Sequence, residues 1–207
     1  MRRGGFGPEI DPLITRFKND VFPYYYRGLN YPAAGGAAYV NSAVTGRTNL
    51  VNEINYLAGL CGAVSPQVVL IGHSQGAAVV RSALVDLGQG PTLTTKAKKM
   101  IRAVVLYGDP NYMVNQPSNA PGAQNSSSGL LGAATHMDQV NGYRYWGWPM
   151  GGNGPGWVQV VRSYCYAKDY FCASGTASNS MSIHNSYGEN ATTTVYHWID
   201  YMLTSQV

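Results

Sequence analysis

The pattern in this chain that most directly indicates chemistry is a serine between two glycines. It reads Gly-His-Ser-Gln-Gly over residues 72–76, with Ser74 at its centre. Residues 67–71 form a short apolar run with β-branched side chains, which is typical of a strand buried in a parallel sheet. Apolar residues after the pattern recur at spacings of three and four, which predicts a helix ending near Gly88. A serine on a sharp turn between such a strand and helix is placed to act as a nucleophile.

Both glycines of this turn have a predicted steric role. A Cβ atom on Gly72 or Gly76 is expected to collide with the neighbouring strand or helix, so that only glycine permits so tight a turn. The alternative interpretation is an ordinary strand-to-helix turn whose serine only caps the helix. The correct periodicity on both flanks favours the nucleophile.

A serine nucleophile needs partners, because its hydroxyl is weakly reactive near neutral pH without a base and an acid that orients the base. In α/β folds with this turn, acid and histidine follow the serine in that order, on loops at the C-terminal ends of strands. Asp169 follows the apolar run 157–164, and His184 comes 15 residues later. Asp109 also follows an apolar run and is an alternative acid, although an Asp-Pro pair after a strand more often shapes a turn.

Two further histidines are alternatives to His184 as the base. His197 falls in the predicted last helix, where a core or surface histidine is the ordinary case, and His136 falls in a long loop. Neither displaces His184. The four histidines also show no metal-ligand spacing with one another or with the cysteines, so the sequence predicts neither a metal site nor a cofactor.

Strand and helix signals alternate along the rest of the chain. Helices are predicted over residues 8–19, 48–60 and 191–203, strands over residues 101–107 and 157–164, and a strand and loop over residues 24–39. Residues 112–155, rich in Asn, Gly, Ser, Pro and aromatic side chains, predict one long loop. This order predicts a single α/β domain over residues 1–207, with a parallel sheet flanked by helices on both sides and an insertion at about residues 112–155.

Composition and charge exclude several classes of function. Only 12% of the residues are charged and 45% are hydrophobic, which gives a polar, weakly charged surface common outside the cytosol. The net charge of +4 is spread thinly and offers no basic patch for nucleic acid. No apolar run is long enough to span a membrane, and residues 1–5 lack the apolar segment of a secretory signal. Either export uses another route or the natural start lies elsewhere.

Taken together, three motifs make the chain resemble the cutinase family of serine esterases. They are the Gly-His-Ser-Gln-Gly-Ala pattern at Ser74, the Leu-Tyr-Gly-Asp-Pro end of the run 101–107, and a Cys-x-x-x-Asp-x-x-Cys loop followed shortly by a histidine. The last motif is the most specific of the three. Together they cover about residues 60–187.

The resemblance implies both a fold and a set of roles. The implied fold is the α/β hydrolase, a three-layer sandwich with a central, mainly parallel sheet. The implied roles are Ser74 as nucleophile, Asp169 as acid and His184 as base. It also implies a disulfide between Cys165 and Cys172, on either side of the acid.

Stabilising the transition state requires two donors aimed at the developing negative charge. By the geometry of the turn, the first is the backbone amide of Gln75. The second is expected from the glycine-rich start of the chain, near Gly4 or Gly5, because Arg3-Gly4-Gly5 weakly resembles the family's oxyanion loop.

The third cysteine departs from the family pattern. In the family, a cysteine on an N-terminal strand pairs with one just before the strand that leads to the serine. Cys61 occupies the second position, but the chain begins at the oxyanion loop. Two interpretations stay open: the chain is shortened and has lost that strand, or Cys61 is a small buried hydrophobic residue.

The long loop at 112–155 is a second departure, and it resembles the insertion of the lysin B esterases of phages that infect mycolic-acid-bearing bacteria. That resemblance implies cleavage of the ester joining mycolic acids to arabinogalactan. The aromatic residues of this region either form an apolar wall for a long acyl chain or pack as an ordinary lid. They are Tyr143, Tyr145, Trp146, Trp148 and Trp157.

The leading hypothesis is therefore a serine carboxylic-ester hydrolase that acts on lipidic esters through an acyl-enzyme. A lysin B-type esterase comes first, and a secreted cutinase, polyester hydrolase or lipase-like esterase second. A non-catalytic binding module of the same fold is the alternative from another class. We expect a monomer with no nucleic-acid partner, acting at the bacterial cell envelope or outside the cell.

Overall fold

The computed structural model describes residues 6–20, 24–60, 66–132 and 136–205. Its helices are α1 (Asp11–Lys18), α2 (Tyr39–Leu60), α3 (Gln75–Ala83), α4 (Thr95–Met100), α5 (Met137–Asn141), α6 (Ser180–His184), α7 (Tyr187–Asn190) and α8 (Thr192–Thr204). Its strands are β1 (Val68–His73), β2 (Ile101–Tyr107), β3 (Arg144–Gly147), β4 (Gly156–Gln159) and β5 (Val161–Tyr164). A 3₁₀ turn, Gly36–Ala38, leads into α2.

The core of the fold is a three-stranded parallel sheet in the order β1–β2–β5. His73 is in register with Tyr107, and Tyr107 with Tyr164, so the C-terminal ends of the three strands lie side by side. The central strand β2 is buried along nearly its whole length, as its continuous apolar sequence requires. The loops that leave this edge therefore bring distant parts of the sequence together.

Two groups of helices cover the sheet. Helix α3 packs on β1 and β2 together with α2 and α4, whereas α8 packs on β2 together with α1. The apolar side chains Val195, Trp198 and Ile199 of α8 are buried in the core. The predicted α/β-hydrolase class, with a parallel sheet between helices, is confirmed. No helix in the described part of the chain is both long and apolar enough to cross a bilayer.

Several predicted elements differ from the observed ones. Helix α2 begins at Tyr39 rather than at Thr48, and the described residues from 24 to 38 contain no strand. Helix α3 ends at Ala83, before Gly88. The predicted long loop contains α5 and β3.

The predicted strand over residues 157–164 is two strands with different partners. Strand β4 pairs antiparallel with β3, and β5 pairs parallel with β2. Val160 lies between them, and its backbone bonds both ways: its amide donates to the Tyr143 carbonyl and its carbonyl accepts from Val104. The chain thus leaves the hairpin and enters the central sheet without a loop.

Candidate active site

Ser74 occupies the turn between β1 and α3 in a strained conformation. Its φ is 55° and its ψ is −123°, a region that residues other than glycine rarely adopt. Its amide donates to the carbonyl of Tyr107 at 2.9 Å, which fixes the turn to the end of β2. The Ser74 side chain makes no hydrogen bond that caps α3, so the alternative of a simple capping serine is wrong. The residue is partly exposed at the C-terminal edge of the sheet.

The two glycines beside Ser74 are not equivalent. A Cβ atom on Gly72 would lie 2.3 Å from the Gly76 carbonyl oxygen, so the predicted collision is confirmed there. Among the described residues outside the backbone of α3, a Cβ atom on Gly76 would meet nothing nearer than the Tyr31 hydroxyl at 3.7 Å, so the predicted collision is absent there. The reason is directional: at Gly72 the Cβ would point into the first turn of α3, whereas at Gly76 it would point away from neighbouring backbone.

We expect this difference to appear in a pair of alanine variants. Gly72→Ala should destabilise the fold by about 3 kcal/mol, because backbone in the turn must move to accept the methyl group. Gly76→Ala should be neutral or stabilising by about 0.5 kcal/mol, because alanine is the better helix former. Urea unfolding of both variants measures the difference, and equal losses of stability would contradict it.

Asp169 and His184, far apart in sequence, form a buried pair. The His184 Nδ1 atom lies 2.9 Å from Oδ2 of Asp169 and 3.1 Å from Oδ1. The exposed fractions of the two side chains are 2% and 0%. A carboxylate can only accept, so Nδ1 carries a proton, and this tautomer of an imidazole has its lone pair on Nε2. That Nε2 atom is buried and has no hydrogen-bond partner within the described ranges.

Further donors surround the Asp169 carboxylate. Its Oδ1 accepts from the backbone amides of Phe171 at 2.7 Å and Cys172 at 2.9 Å. Its Oδ2 accepts from the Tyr187 hydroxyl at 2.9 Å. Burial alone raises the pKa of Asp169, but the hydrogen bonds from His184, Cys172 and Tyr187 outweigh it and leave the pKa below its ordinary value. The carboxylate is therefore ionised at neutral pH.

Tyr187 and Gly108 belong to the site, and the sequence analysis missed both. The Tyr187 ring is fully buried and stacks on Tyr166 at 4.5 Å, which holds the hydroxyl at Asp169. Gly108 has a φ of +57°, and a Cβ atom there would lie 2.8 Å from Nδ1 of His184. Only glycine lets the imidazole pack against this turn. The Gly-Asp-Pro sequence after β2 was the available signal.

The Cys165–Cys172 disulfide is present, and it closes the loop that carries Asp169. The bonded cysteines are buried, at 1% and 0% exposure. The Cys172 amide is one of the donors to the carboxylate, so the closed loop and the acid share one rigid segment. The pairing implied by the family resemblance is confirmed.

His73, the residue before Ser74, links the turn of the serine to His184. His73, the last residue of β1, has Nε2 2.8 Å from the His184 carbonyl oxygen, and the two imidazole rings lie 4.6 Å apart. No hydrogen bond joins Oγ of Ser74 to Nε2 of His184 in this conformation. Such bonds are often long in unliganded enzymes and shorten when substrate binds. The sheet edge thus brings together a strained serine, an oriented imidazole and a buried carboxylate.

Comparison with known proteins agrees with this geometry. The family model described as cutinase matches residues 24–203. The chain belongs to the cutinase family. Its members named below as cutinase and acetylxylan esterase are carboxylic ester hydrolases.

Two curated relatives and one solved structure illustrate the match. "Cutinase 11" of Verticillium dahliae is 28% identical over 199 residues, and the alignment covers 89% of this chain and 58% of that protein. An acetylxylan esterase of Hypocrea jecorina is 31% identical, with 77% of this chain and 50% of that protein covered. The chain therefore spans about half the length of the curated relatives it matches. The catalytic core domain of acetyl xylan esterase from Trichoderma reesei superposes with a TM-score of 0.70 at 24% identity, covering 96% of this chain and 91% of that chain.

Lysin B from Mycobacteriophage D29 is also a structural neighbour. Its TM-score is 0.51 at 15% identity, and the match covers 100% of this chain and 88% of that one. At this identity the likeness extends to the fold alone.

Of the two predicted oxyanion donors of this cutinase-family chain, the first lies within the described residues and the second lies outside them. Gln75 is the first residue of α3, where backbone amides have no partner within the helix. Its side chain is fixed: it accepts from the Ser42 hydroxyl at 3.0 Å and donates to the Ala34 carbonyl at 2.8 Å. Gly4 and Gly5, predicted to hold the second donor, lie outside the described residues, as does Cys61.

Asp109, the alternative acid, has a different partner. Its Oδ2 accepts from Nε of Arg81 at 2.8 Å, and its Oδ1 accepts from the Asn111 amide at 2.9 Å. The Asp109 side chain is 1% exposed. The alternative bases His136 and His197 are both exposed. The structure therefore brings Asp169, and not Asp109, to a histidine.

Two of the aromatic residues predicted to form either a wall for an acyl chain or an ordinary lid make hydrogen-bond contacts in the fold. The Tyr143 hydroxyl donates to the Leu84 carbonyl, just after α3, and the Tyr145 hydroxyl lies 3.4 Å from Oγ of Ser205. Helix α3 starts next to Ser74 and its nine residues rise about 13 Å, so the Tyr143 contact lies at the far end of that helix from the serine. Trp146, Trp148 and Trp157 belong to this hairpin region and are about 60% exposed. The acyl-chain wall therefore stays a prediction.

Proposed function

We propose that this cutinase-family chain is a serine carboxylic-ester hydrolase in which Ser74 is the nucleophile, His184 the base and Asp169 the acid. The observation that supports this most strongly is the buried Asp169–His184 pair, whose unpartnered Nε2 lies at the same sheet edge as the strained serine. A binding protein with no chemistry to perform has no need for a buried, unpartnered ring nitrogen, which costs free energy.

The chemistry follows from the proton positions. Nε2 of His184 takes the proton of Ser74 as Oγ attacks the ester carbonyl carbon, and the ionised Asp169 stabilises the imidazolium that forms. The backbone amide of Gln75, with a second donor predicted near Gly5, holds the oxyanion. The imidazolium then protonates the leaving alcohol, which departs and leaves an acyl-enzyme. Water, deprotonated by His184, attacks the acyl-enzyme, and the acid product and Ser74 are released.

An exposed apolar rim beside the base supports lipidic esters as the substrate class. We define the apolar rim as Leu130, Leu131, Tyr170, Phe171 and Met181. Phe171 packs against the His184 ring at 4.6 Å and accepts a backbone hydrogen bond from Leu130 at 2.7 Å. Met181 lies on α6 with His184, and the other members of the rim apart from Phe171 are between 40% and 52% exposed. Exposed apolar side chains grouped in this way are typical of contact with an apolar partner.

The rim predicts that activity depends on acyl length. For nitrophenyl esters from acetyl to octanoyl, kcat/KM should rise with each methylene by up to about fourfold, because burying a methylene is worth about 0.8 kcal/mol. The double variant Leu131→Ser with Met181→Ser should flatten this dependence. Trp148→Ser, which removes an exposed apolar side chain from the segment between β3 and β4, is the matched control and should leave it unchanged. A flat profile in the wild-type protein, or an equal effect of Trp148→Ser, would contradict the lipidic substrate.

The natural ester is tested by product release from polymers. The relatives named cutinase favour an apolar polyester such as cutin, which we propose first. The lysin B-type ester between mycolic acids and arabinogalactan, which the sequence analysis placed first, is the second candidate. Purified enzyme incubated with cutin, with mycolyl-arabinogalactan and with acetylated xylan separates the candidates by which acid is released. Failure of a fluorophosphonate to label Ser74 would instead favour a non-catalytic module.

A further inference from the structure

His73 joins the strand of the nucleophile to the helix of the base. It is the last residue of β1 and directly precedes Ser74. Its Nε2 lies 2.8 Å from the carbonyl oxygen of His184, the last residue of the five-residue helix α6. Carbonyls at a helix C-terminus have no partner within the helix, so this bond from the sheet satisfies one of them.

Two aromatic rings also pack against the His184 ring. His73 packs on one side at 4.6 Å with an interplanar angle of 34°, and Phe171 packs at 4.6 Å. Gly108 closes the approach at Nδ1, as described above. Of these contacts, the one from His73 is the one that originates in the residue next to the nucleophile. Movement of His73 therefore changes the separation of Ser74 and His184.

The protonation state of His73 follows from its surroundings. A carbonyl only accepts, so Nε2 of His73 carries the proton and donates it to the His184 oxygen. Burial lowers the pKa of His73, and the charge of His184 lowers it further. The hydrogen bond to the His184 carbonyl and the carboxylates of Glu9 and Asp169 act in the opposite direction without reversing the shift. Tyr187, from α7, also faces the ring at 5.9 Å. At neutral pH His73 is uncharged.

We propose that His73 is a positioning residue that holds His184 in reach of Ser74, and that protonation of His73 lowers activity at acid pH by opposing the positive charge that His184 acquires during turnover. This inference rests on the proposed roles of Ser74 and His184. During turnover His184 becomes an imidazolium, and a second positive charge in a ring only 4.6 Å away opposes its formation. A proton on His73 therefore adds to the loss of kcat/KM on acidification and makes the acid limb of the pH profile steeper.

The free energy of unfolding is also expected to depend on the protonation of His73. Because the pKa of His73 is lower in the folded chain than the ordinary value of about 6.5, the unfolded chain takes up a proton first as the pH falls. The free energy of unfolding therefore decreases below about pH 6.5 on account of His73. A side chain that does not titrate, such as glutamine at position 73, shows no such dependence.

The test uses two variants of His73 and one control. His73→Gln keeps an N–H donor and cannot titrate, so kcat at pH 8 should stay within about threefold, while the acid limb of kcat/KM becomes less steep than in the wild type. The melting temperature of His73→Gln should also fall less between pH 7.5 and pH 5.5 than that of the wild type. His73→Phe keeps an aromatic ring without the donor, and kcat should fall about 100-fold with little change in KM, because a misplaced base slows chemistry more than binding. His197→Gln removes an exposed histidine on α8 and should change neither quantity.

Two results would overturn the proposal. One is a wild-type kcat in His73→Phe, and the other is an acid slope that His73→Gln leaves unchanged. If His73→Phe fails to fold, the slope measured with His73→Gln still decides. A Ser74→Ala variant assayed in parallel distinguishes failure of the proposed triad from failure of the role of His73. Turnover by Ser74→Ala would overturn the proposed triad. An inactive Ser74→Ala together with unaffected His73 variants would overturn the role of His73 alone.

Discussion

Replacing Ser74 by alanine is expected to lower kcat for a nitrophenyl ester by about a million-fold. The acyl-enzyme cannot form without Oγ, and the remaining rate over water comes from substrate binding and the oxyanion donors alone. The fold should survive, because the Ser74 side chain does not cap α3 and the backbone bond to Tyr107 does not depend on it. Steady-state kinetics and a thermal melt of the same preparation measure both quantities.

A second serine on the same helix provides the control. The Ser82 hydroxyl donates to the Val79 carbonyl at 2.9 Å within α3, so Ser82→Ala should keep kcat. A fluorophosphonate should add its phosphonyl group to Ser74 in the wild-type and Ser82→Ala proteins and to no residue in Ser74→Ala, as peptide masses would show. Residual turnover above 1% in Ser74→Ala, or labelling at another serine, would contradict the assignment.

The turn at Ser74 and the central strand were predictable from sequence because their signals are local. A buried parallel strand requires a continuous apolar run, and both β1 and β2 have one. The steric demand on Gly72 comes from backbone only four residues away. The predicted collision is absent at Gly76 because the two glycines of the motif have different surroundings. That difference depends on the path of α3, which the motif alone does not give.

The hairpin was not predictable in the same way. The run over residues 157–164 keeps one strand-like periodicity while its partner changes at Val160 from β3 to β2. The periodicity of apolar residues indicates which face of a strand is buried. Which strand it pairs with depends on segments far away in the chain. The same limit explains Tyr187, whose contribution to the site arises from the distant loop that carries Asp169.

The choice between Asp169 and Asp109 was open in the sequence for a related reason. Both follow strands of the parallel sheet, so both arrive at the C-terminal edge. Their different partners arise from packing: Arg81, on α3, reaches Asp109, and His184, at the end of α6, reaches Asp169. The structure thus distinguishes the two carboxylates that the sequence left as alternatives, and we expect a different effect from replacing each of them.

Asp169→Asn is expected to lower kcat by about 10⁴-fold. An amide at this position can donate to Nδ1 of His184, which leaves the proton on Nε2 and removes the lone pair that accepts the proton of Ser74. The variant should also lose stability at pH 7, because the folded chain lowers the pKa of this carboxyl. That contribution exists above the unfolded pKa of about 3.9 and is lost as the pH falls through the folded value, so the stability difference from wild type should shrink below about pH 4.

Asp109→Asn should give the opposite pattern, with kcat within a few-fold of wild type and the free energy of unfolding lower by about 3 kcal/mol. The loss arises because the variant leaves the Arg81 guanidinium buried without its countercharge. Kinetics and urea unfolding of both variants in one buffer series give two values of kcat and two free energies of unfolding. We expect the large change in kcat for Asp169→Asn and the large change in the free energy of unfolding for Asp109→Asn. Because a general loss of stability cannot remove turnover from Asp169→Asn while sparing it in the less stable Asp109→Asn, that crossed result isolates the acid of the triad. An inactive Asp109→Asn beside an active Asp169→Asn would transfer the role to the Arg81-bound carboxylate.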